Sequence, residues 1–313
     1  VSVLAESYRK VFYDLRPGKQ IERRLLLDAF QHLSNGGFAL RDSTYLGFGS
    51  ISFYDFALFY RYLGFKKMIS LENDPRIKKR VLFNRPFNDI DVLFMSPDEF
   101  VPKISLDRQY VVWLDFDLAV SGSMLADVGA VTKALSAGSI LIVTVDGRPP
   151  QAVTSQAKLQ EYVRTELTDF LRDDHLASGV TRPKFRELSR DVLGVAVSKG
   201  LKTRRDAHFA PLFSFGYNDS CPMYTFGGMV VNQAMVPKLQ AVIGAGPDYF
   251  RSDISAEIYD IRVPRLTKKE RVALDFAIPN GRDPFAADFG ITDEEKDDYR
   301  RIYRFFPSYV ETI

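Results

Sequence analysis

The sequence predicts an α/β protein built on a doubly wound, mostly parallel sheet of seven strands, carrying a helical insertion and a C-terminal helical extension. Three observations lead there. Short apolar runs alternate with helical patterns over the first half of the chain, which is the signature of parallel strands joined by crossover helices. The fourth run, "YVVWLDFD", has the continuous apolar interior of a strand covered on both faces. Two aromatic runs around the polar turn Asn218-Asp219-Ser220 read as an antiparallel hairpin at which the sheet ends.

The elements follow in order. "IERRLLLDAFQHLSNGG" sets Ile21, Leu25, Leu26, Ala29, Phe30 and Leu33 at helical spacing, and Asn35-Gly36-Gly37 stops it. "STYLGFG" is a strand running into a tight turn, and "FYDFALFYRYLG" a helix closed by Gly64. After the second strand, "KKMISLEN", Asp74-Pro75 supplies an N-cap and a proline at the first position of the helix "PRIKKRVLFN". "DIDVLFMS" and "YVVWLDFD" are the third and fourth strands, "GSMLADVGAVTKALSAG" is a helix, and "SILIVTVDG" is the fifth strand. Right-handed crossovers then put helices on both faces. Beyond Arg148-Pro149-Pro150 the chain turns helical and charged, with Phe185, Leu188, Val192 and Val195 on one stripe, and reads as an insertion or cap. Thr267 and Thr292 each open a Thr-x-x-Glu capping box, placing peripheral helices near 268–277 and 293–305. The expected organisation is a helical segment 1–40, a ligand-binding α/β half 41–150, an insertion 151–205, a sheet-completing hairpin 206–245 and a helical extension 246–313.

Composition narrows the partners. The 25 Phe and 15 Tyr imply a thick aromatic core or an aromatic-lined cleft. A net charge of +2 from 42 basic and 40 acidic side chains provides no global field toward nucleic acid or an anionic membrane, so either partner needs a local patch. "RIKKR" (76–80) reads as a solvated helix face; "KGLKTRRDAH" (199–208) is expected beside the acceptor, where it would contact phosphates, or else is a basic loop. Cys221 is the one cysteine, which excludes an internal disulfide and a CxxC zinc site and suits a reducing compartment. His32, His175 and His208 are scattered without an HExxH pattern, and no phosphate-binding G-x-x-x-x-G-K-[ST] occurs. The N-terminal stretch lacks a leader pattern and no run is long enough for a membrane span, so the expected location is cytoplasmic.

In a doubly wound sheet, ligands bind outside the carboxyl ends of the strands where strand order reverses. At the first strand end, Gly47 and Gly49 leave room for a ligand against the backbone, although a plain turn would look the same. Glu72 follows at the spacing from which a carboxylate accepts both ribose hydroxyls. The third position of a G-x-G-x-x-G pattern is Ser52, which removes the close helix approach a pyrophosphate needs. A ligand with a ribose and no phosphate fits better.

Five βα units followed by an antiparallel hairpin resemble the class I S-adenosylmethionine-dependent methyltransferases. More narrowly, "YLGFGSISFYDFALFYRYLGFKKMISLEN", "FNRPF" and "WLDFD" are similar to bacterial sequences described as O-methyltransferases. The resemblance covers roughly residues 20–235 and implies S-adenosyl-L-methionine as cofactor. It implies that the cofactor's amino-acid end lies over Gly47, Phe48 and Gly49, that Glu72 and Asn73 hold the ribose, and that the adenine lies near Ser96 and Asp98. The usual acid before the glycine turn is replaced by Tyr45, and Asp115 or Asp117 would serve the ammonium end instead. Asp117 is the candidate base or acceptor-orienting group and Asp115 its alternate; either one could instead cap the next helix. Asp146, at the adjacent strand end, could join them around a divalent ion, or simply form a solvated turn. Cys221 lies far along the chain from the fourth strand and reads as a small apolar residue rather than a nucleophile. No Asn-Pro-Pro-Tyr occurs, which disfavours base-amino methylation, and nucleic acid is a minor expectation. The expected function is methyl transfer to an acceptor the sequence does not name, with O-methyl transfer as the specific form. The alternative is a non-catalytic S-adenosylmethionine or nucleoside sensor; a nicotinamide oxidoreductase suffers from the missing third glycine.

Overall fold

The computed structural model describes residues 16–173, 175, 179–279 and 290–307; the first fifteen residues of the 1–40 segment and parts of the C-terminal extension lie outside the described residues. The described residues form eight strands: β1 (Thr44–Gly47), β2 (Lys67–Leu71), β3 (Ile90–Leu93), β4 (Tyr110–Ala119), β5 (Ile140–Asp146), β6 (His208–Asn218), β7 (Pro222–Val231) and β8 (Tyr259–Ile261). They form one sheet in the order β3-β2-β1-β4-β5-β7-β6-β8. The first five strands are parallel. β7 is inserted antiparallel between β5 and β6. The chain steps outward from β1 to β3 and then returns to lay β4 on the other side of β1, so order reverses between β1 and β4. The carboxyl ends of those two strands border the crevice where this architecture takes ligands.

The hairpin does not end the sheet. β8 adds an eighth strand, pairing parallel to β6 through Phe215↔Tyr259, Gly216↔Asp260 and Tyr217↔Ile261. Three residues are too few to display a period-two pattern, so the sequence carries no usable signal for it. Pro211, which has no N–H to donate, falls where the β6–β7 register shifts, so the ladder loses little.

The helices are α1 (Pro17–Asn35), α2 (Tyr54–Leu63), α3 (Lys78–Asn84), α4 (Pro97–Phe100), α5 (Gly122–Ala134), α6 (Gln156–Glu166), α7 (Phe185–Leu201), α8 (Val236–Ala245), α9 (Lys268–Ala277) and α10 (Asp293–Ile302). Alternation along the strands divides the core into two faces. Tyr45, Met68, Val111, Trp113, Ile142, Phe213 and Phe215 pack under α1 and α2. Leu46, Ile69, Val112, Leu114, Leu141 and Val143 pack under α5, α6 and α7. In the segment read as an insertion or cap, Phe185, Leu188 and Val192 of α7 are core residues of the second face, and Val195, expected on the same stripe, is half-buried. Thr267 and Thr292 cap α9 and α10 with both capping-box bonds formed. The Tyr299 hydroxyl donates to Asp275 Oδ1 at 2.7 Å and ties the two helices together.

α5 and α7 cross at glycines. A Cβ on Gly200 would run into the Gly129 carbonyl oxygen and come within 3.1 Å of the Thr132 side chain. Gly200→Ala is therefore expected to push the helices apart and cost about 2 kcal/mol. The measurement is the urea midpoint at unchanged m value; a wild-type midpoint would show that the crossing has slack.

Candidate active site

The turn after β1 is set by packing beneath it. A Cβ on Gly49 would lie 2.5 Å from the Phe53 ring and 2.7 Å from Ser70 Oγ, and the Gly49 N–H donates to that hydroxyl at 3.0 Å. Ser50 and Phe53 are both left-handed, with φ of 48° and 50°, so the turn holds two non-glycine residues in a sparsely populated region. Phe48 points to the other face and meets Phe116 edge-on at 5.5 Å. Glu72 follows β2, which pairs with β1 through Gly47↔Ser70, and stands half-buried beside this turn. Its Oε1 accepts the Asp74 N–H at 3.0 Å. Burial pushes the Glu72 carboxyl above its ordinary value, against the pull of the Asp74 and Asn73 N–H groups.

At the end of β4 the ladder to β5 breaks after Asp115 and resumes at Ala119↔Asp146. The intervening bulge turns Asp117 and Leu118 outward, while Asp115 stays on the α1 face. There Lys19 Nζ lies 2.8 Å from Asp115 Oδ1 and 2.8 Å from Glu22 Oε2. The ammonium also sits 4.4 Å above the Trp113 ring and 5.7 Å from that of Tyr217. Glu22 is wholly buried and accepts from the Thr225 hydroxyl. Its Oε2 has no well-directed donor even with the ammonium alongside, so that contact is an ion pair rather than an aligned hydrogen bond. Burial raises the Glu22 pKa more than Lys19 lowers it. Arg16 is buried among Tyr217, Asp219, Asp115 and Asp117, whose charges outweigh the opposing effect of burial and raise its pKa.

Tyr45 is not at the mouth of the crevice. It is fully buried, with its ring against Phe56 at 4.9 Å and Phe59 at 5.2 Å, because its position on β1 faces α2. Its hydroxyl donates to Asp55, in the first turn of α2. A carboxylate is therefore present at the head of the glycine turn, supplied from α2 rather than from β1.

The other expected residues are more dispersed. Asn73 and Asp98 are exposed, and Ser96 caps the four-residue α4 through a capping box with Glu99. The hydrogen bond from Ser96 keeps the Asp98 carboxyl below its usual range. Asp146 is bound by its own turn, accepting from Arg148 N–H at 2.9 Å and from Nη2 at 2.9 Å. Among the described residues, no three His, Cys, Asp or Glu side chains group to hold a metal. Burial pushes the half-buried Cys221 thiol up, with Asp146 adding to it, which keeps it a poor nucleophile. The basic stretch 199–208 is not beside the crevice: β6 runs parallel to β5, so its first residue, His208, lies at the amino ends of the strands. Lys19, Glu22, Arg23 and Asp55 were missed. One signal marks the first three: Lys19, Arg23, Leu26, Phe30 and Leu33 recur at helical spacing, and Glu22 flanks them, so charges occupy the buried stripe.

Removing the ammonium leaves the wholly buried Glu22 carboxylate facing Asp115 without its ion-pair partner. Lys19→Met is expected to cost about 3–5 kcal/mol. The loss should depend on pH. The folded-state pKa of Glu22 already exceeds its ordinary 4.5 and rises further without Lys19, so stability is fully present below that ordinary value and is lost as pH rises through the folded one. Urea unfolding across pH 4–8 should show the deficit growing with pH, and adding Glu22→Gln should flatten it. A deficit independent of pH would mean that Lys19 acts by packing alone.

Comparison with known proteins follows the geometry. Residues 11–313 match the model of the family described as "Putative O-methyltransferase". Similar solved structures include the Methanococcus jannaschii fibrillarin pre-rRNA processing protein, with 11% identity over 62% of this chain and 68% of that one, at a TM-score of 0.40. Another is Trm1 from Pyrococcus horikoshii, solved in complex with S-adenosyl-L-methionine: 14% identity, 74% of this chain, 59% of that one and a TM-score of 0.47. Cofactor-bound Rv0187 from MTB gives 11%, 66%, 80% and 0.37 in the same order. No curated protein matches. No helix among the described residues is long and apolar enough to cross a membrane. With a match that spans all but the first ten residues, the chain belongs to the "Putative O-methyltransferase" family.

Proposed function

We propose that this protein is an S-adenosylmethionine-dependent methyltransferase, with O-methyl transfer as its specific form, that binds its cofactor across the carboxyl ends of β1, β2 and β3. Asp115 and Asp117 at the end of β4 face the acceptor. The observation that carries the reading is Glu72: a half-buried carboxylate, oriented by the Asp74 N–H, next to a glycine turn in a sheet whose order reverses at that point. This suits a ribose whose two hydroxyls donate to one carboxylate. The cofactor supplies an electrophilic methyl group on a sulfonium sulfur. The protein's own task is alignment, and α1 serves it by roofing the end of β4 through the Lys19–Asp115 pair. Asp117, on the exposed bulge, is the group placed to orient an acceptor hydroxyl or take its proton. Asp115, already held by Lys19, orients rather than accepts. Phe48 and Phe116 form an aromatic wall beside the turn.

Isothermal calorimetry with S-adenosylmethionine, S-adenosylhomocysteine and NAD tests this. The first two are expected to bind with Kd on the order of 10 µM, and Glu72→Ala to weaken them at least about tenfold, or ~1.4 kcal/mol. The acceptor form of Glu72 is the ionised one, so affinity should fall as pH drops through its raised pKa, above the ordinary 4.5. Glu72→Gln should abolish that dependence. NAD binding without either sulfur nucleoside would overturn the proposal. Tight nucleoside binding with no methyl transferred to any cell-extract fraction would favour a sensor.

A further inference from the structure

A cleft of about 550 Å³ runs along α7, a volume typical of sites for small organic ligands. One stripe of the helix and its C-cap lines it: Asp191, Gly194, Val195, Ser198, Lys199 and Lys202 recur at spacings of three and four. Arg172 and the 253–255 loop complete the lining. The cleft is separate from the crevice at the carboxyl ends of the strands. α7 begins at that crevice, since a Cβ on Gly147, just after β5, would lie 3.5 Å from the Arg186 side chain. Its last residues lead into β6 at the amino ends, and the cleft follows this later part of the helix.

Its floor is apolar. Ile254 lies against α7 at Gly194, where a Cβ would come within 2.9 Å of Ile254 Cγ2, and Val195 extends the same surface. The two carboxylates of the lining are already engaged by the fold. Asp191, 6% exposed, has Arg172 Nη2, His175 Nε2 and Arg190 Nε each at 2.9 Å. Arg190 also donates to the Ser255 and Ala256 carbonyls at 3.4 and 3.3 Å, which fastens the loop to the helix. Asp253 accepts the Ser255 N–H at 2.7 Å and its hydroxyl at 2.8 Å. The lysines have no such counter-charge among the described residues. Lys199 donates to the Asp169 carbonyl and lies 4.9 Å from the Phe170 ring, both neutral, and Lys202 is exposed at the helix end without an ion pair. A ligand that answers both features has an apolar body and an anionic head. We propose that this cleft binds a small organic anion, a phosphate or carboxylate on a short hydrocarbon or aromatic body, with the body on Val195 and Ile254 and the head against Lys199 and Lys202. The basic stretch that begins at Lys199 thereby acquires a role away from the strand ends, independent of the methyl-transfer reading.

The test is calorimetry with hexyl phosphate, hexanoate, hexanol and inorganic phosphate. Hexyl phosphate or hexanoate is expected to bind at least about tenfold more tightly than either hexanol or inorganic phosphate, and the tighter of the two identifies the head group. Replacing both lysines, Lys199→Gln with Lys202→Gln, should weaken that ligand at least about fivefold. Both side chains are exposed, so the variant should unfold thermally as the wild type does. Equal affinity for hexanol would make the cleft a plain apolar groove, and equal affinity for inorganic phosphate would leave the floor without a part; either overturns the proposal. Undiminished binding in the double variant, or no binding of either anion, overturns it as well. Saturating S-adenosylhomocysteine should leave the anion's affinity unchanged, whereas competition would place the anion in the crevice and refute the separate site. If S-adenosylhomocysteine itself fails to bind, the methyltransferase reading alone is damaged, and the lysine variant still decides the cleft.

Discussion

The ammonium of Lys19 is the interaction on which the site depends. Taking a charge out of water is expensive, and the expense is offset only where counter-charges and hydrogen bonds are well placed. Here two carboxylates and an indole ring surround it. The helix that carries it is fixed at its start as well: Asp219, in the β6–β7 turn, accepts the Gly18 N–H at 2.7 Å and the Lys19 N–H at 3.0 Å. An anion at a helix N-terminus satisfies orphan donors and the helix dipole together. α1 is thus tied to β4 by its side chain and to the hairpin by its backbone. Its apolar half, Leu25 to Leu33, only has to settle onto the sheet.

Much of the fold was legible because it obeys short-range rules. Strands covered on both faces give continuous apolar runs, helices give a 3.6 period, and Gly64, Asp74 and the two threonine capping boxes punctuate them. What failed to show was long-range. Lys19 meets Asp115 across 96 positions, and Gly18 meets Asp219 across 201. Read locally, "PGKQIERR" is a polar helix start; only the sheet makes it an interior. β8 is hidden for the complementary reason, since three residues paired to β6 leave no pattern to read.

The candidate site divides in the same way. Gly47, Gly49 and Glu72 were visible because one βαβ unit fixes their spacing. The reason for Gly49 was not visible: the space its missing Cβ leaves is filled by Phe53 and Ser70, so the glycine first serves the packing of the turn. Tyr45 looked like a lost acid because sequence comparison follows the strand. In three dimensions its hydroxyl leads to Asp55, ten positions on, which brings the carboxylate to the turn from the helix side.

The bulge in β4 explains how two carboxylates two positions apart can do different work. In a regular strand, Asp115 and Asp117 would share one face and both would compete for Lys19. Past the break in pairing between Asp115 and Ala119 the second lies exposed, and its charge acts on Arg16 at the N-cap of α1. Asp115 pairs with Lys19 and so holds α1, whereas Asp117 is open to solvent. Phe116 follows Leu114 on the opposite face by ordinary alternation and meets Phe48 there, closing the wall beside the glycine turn.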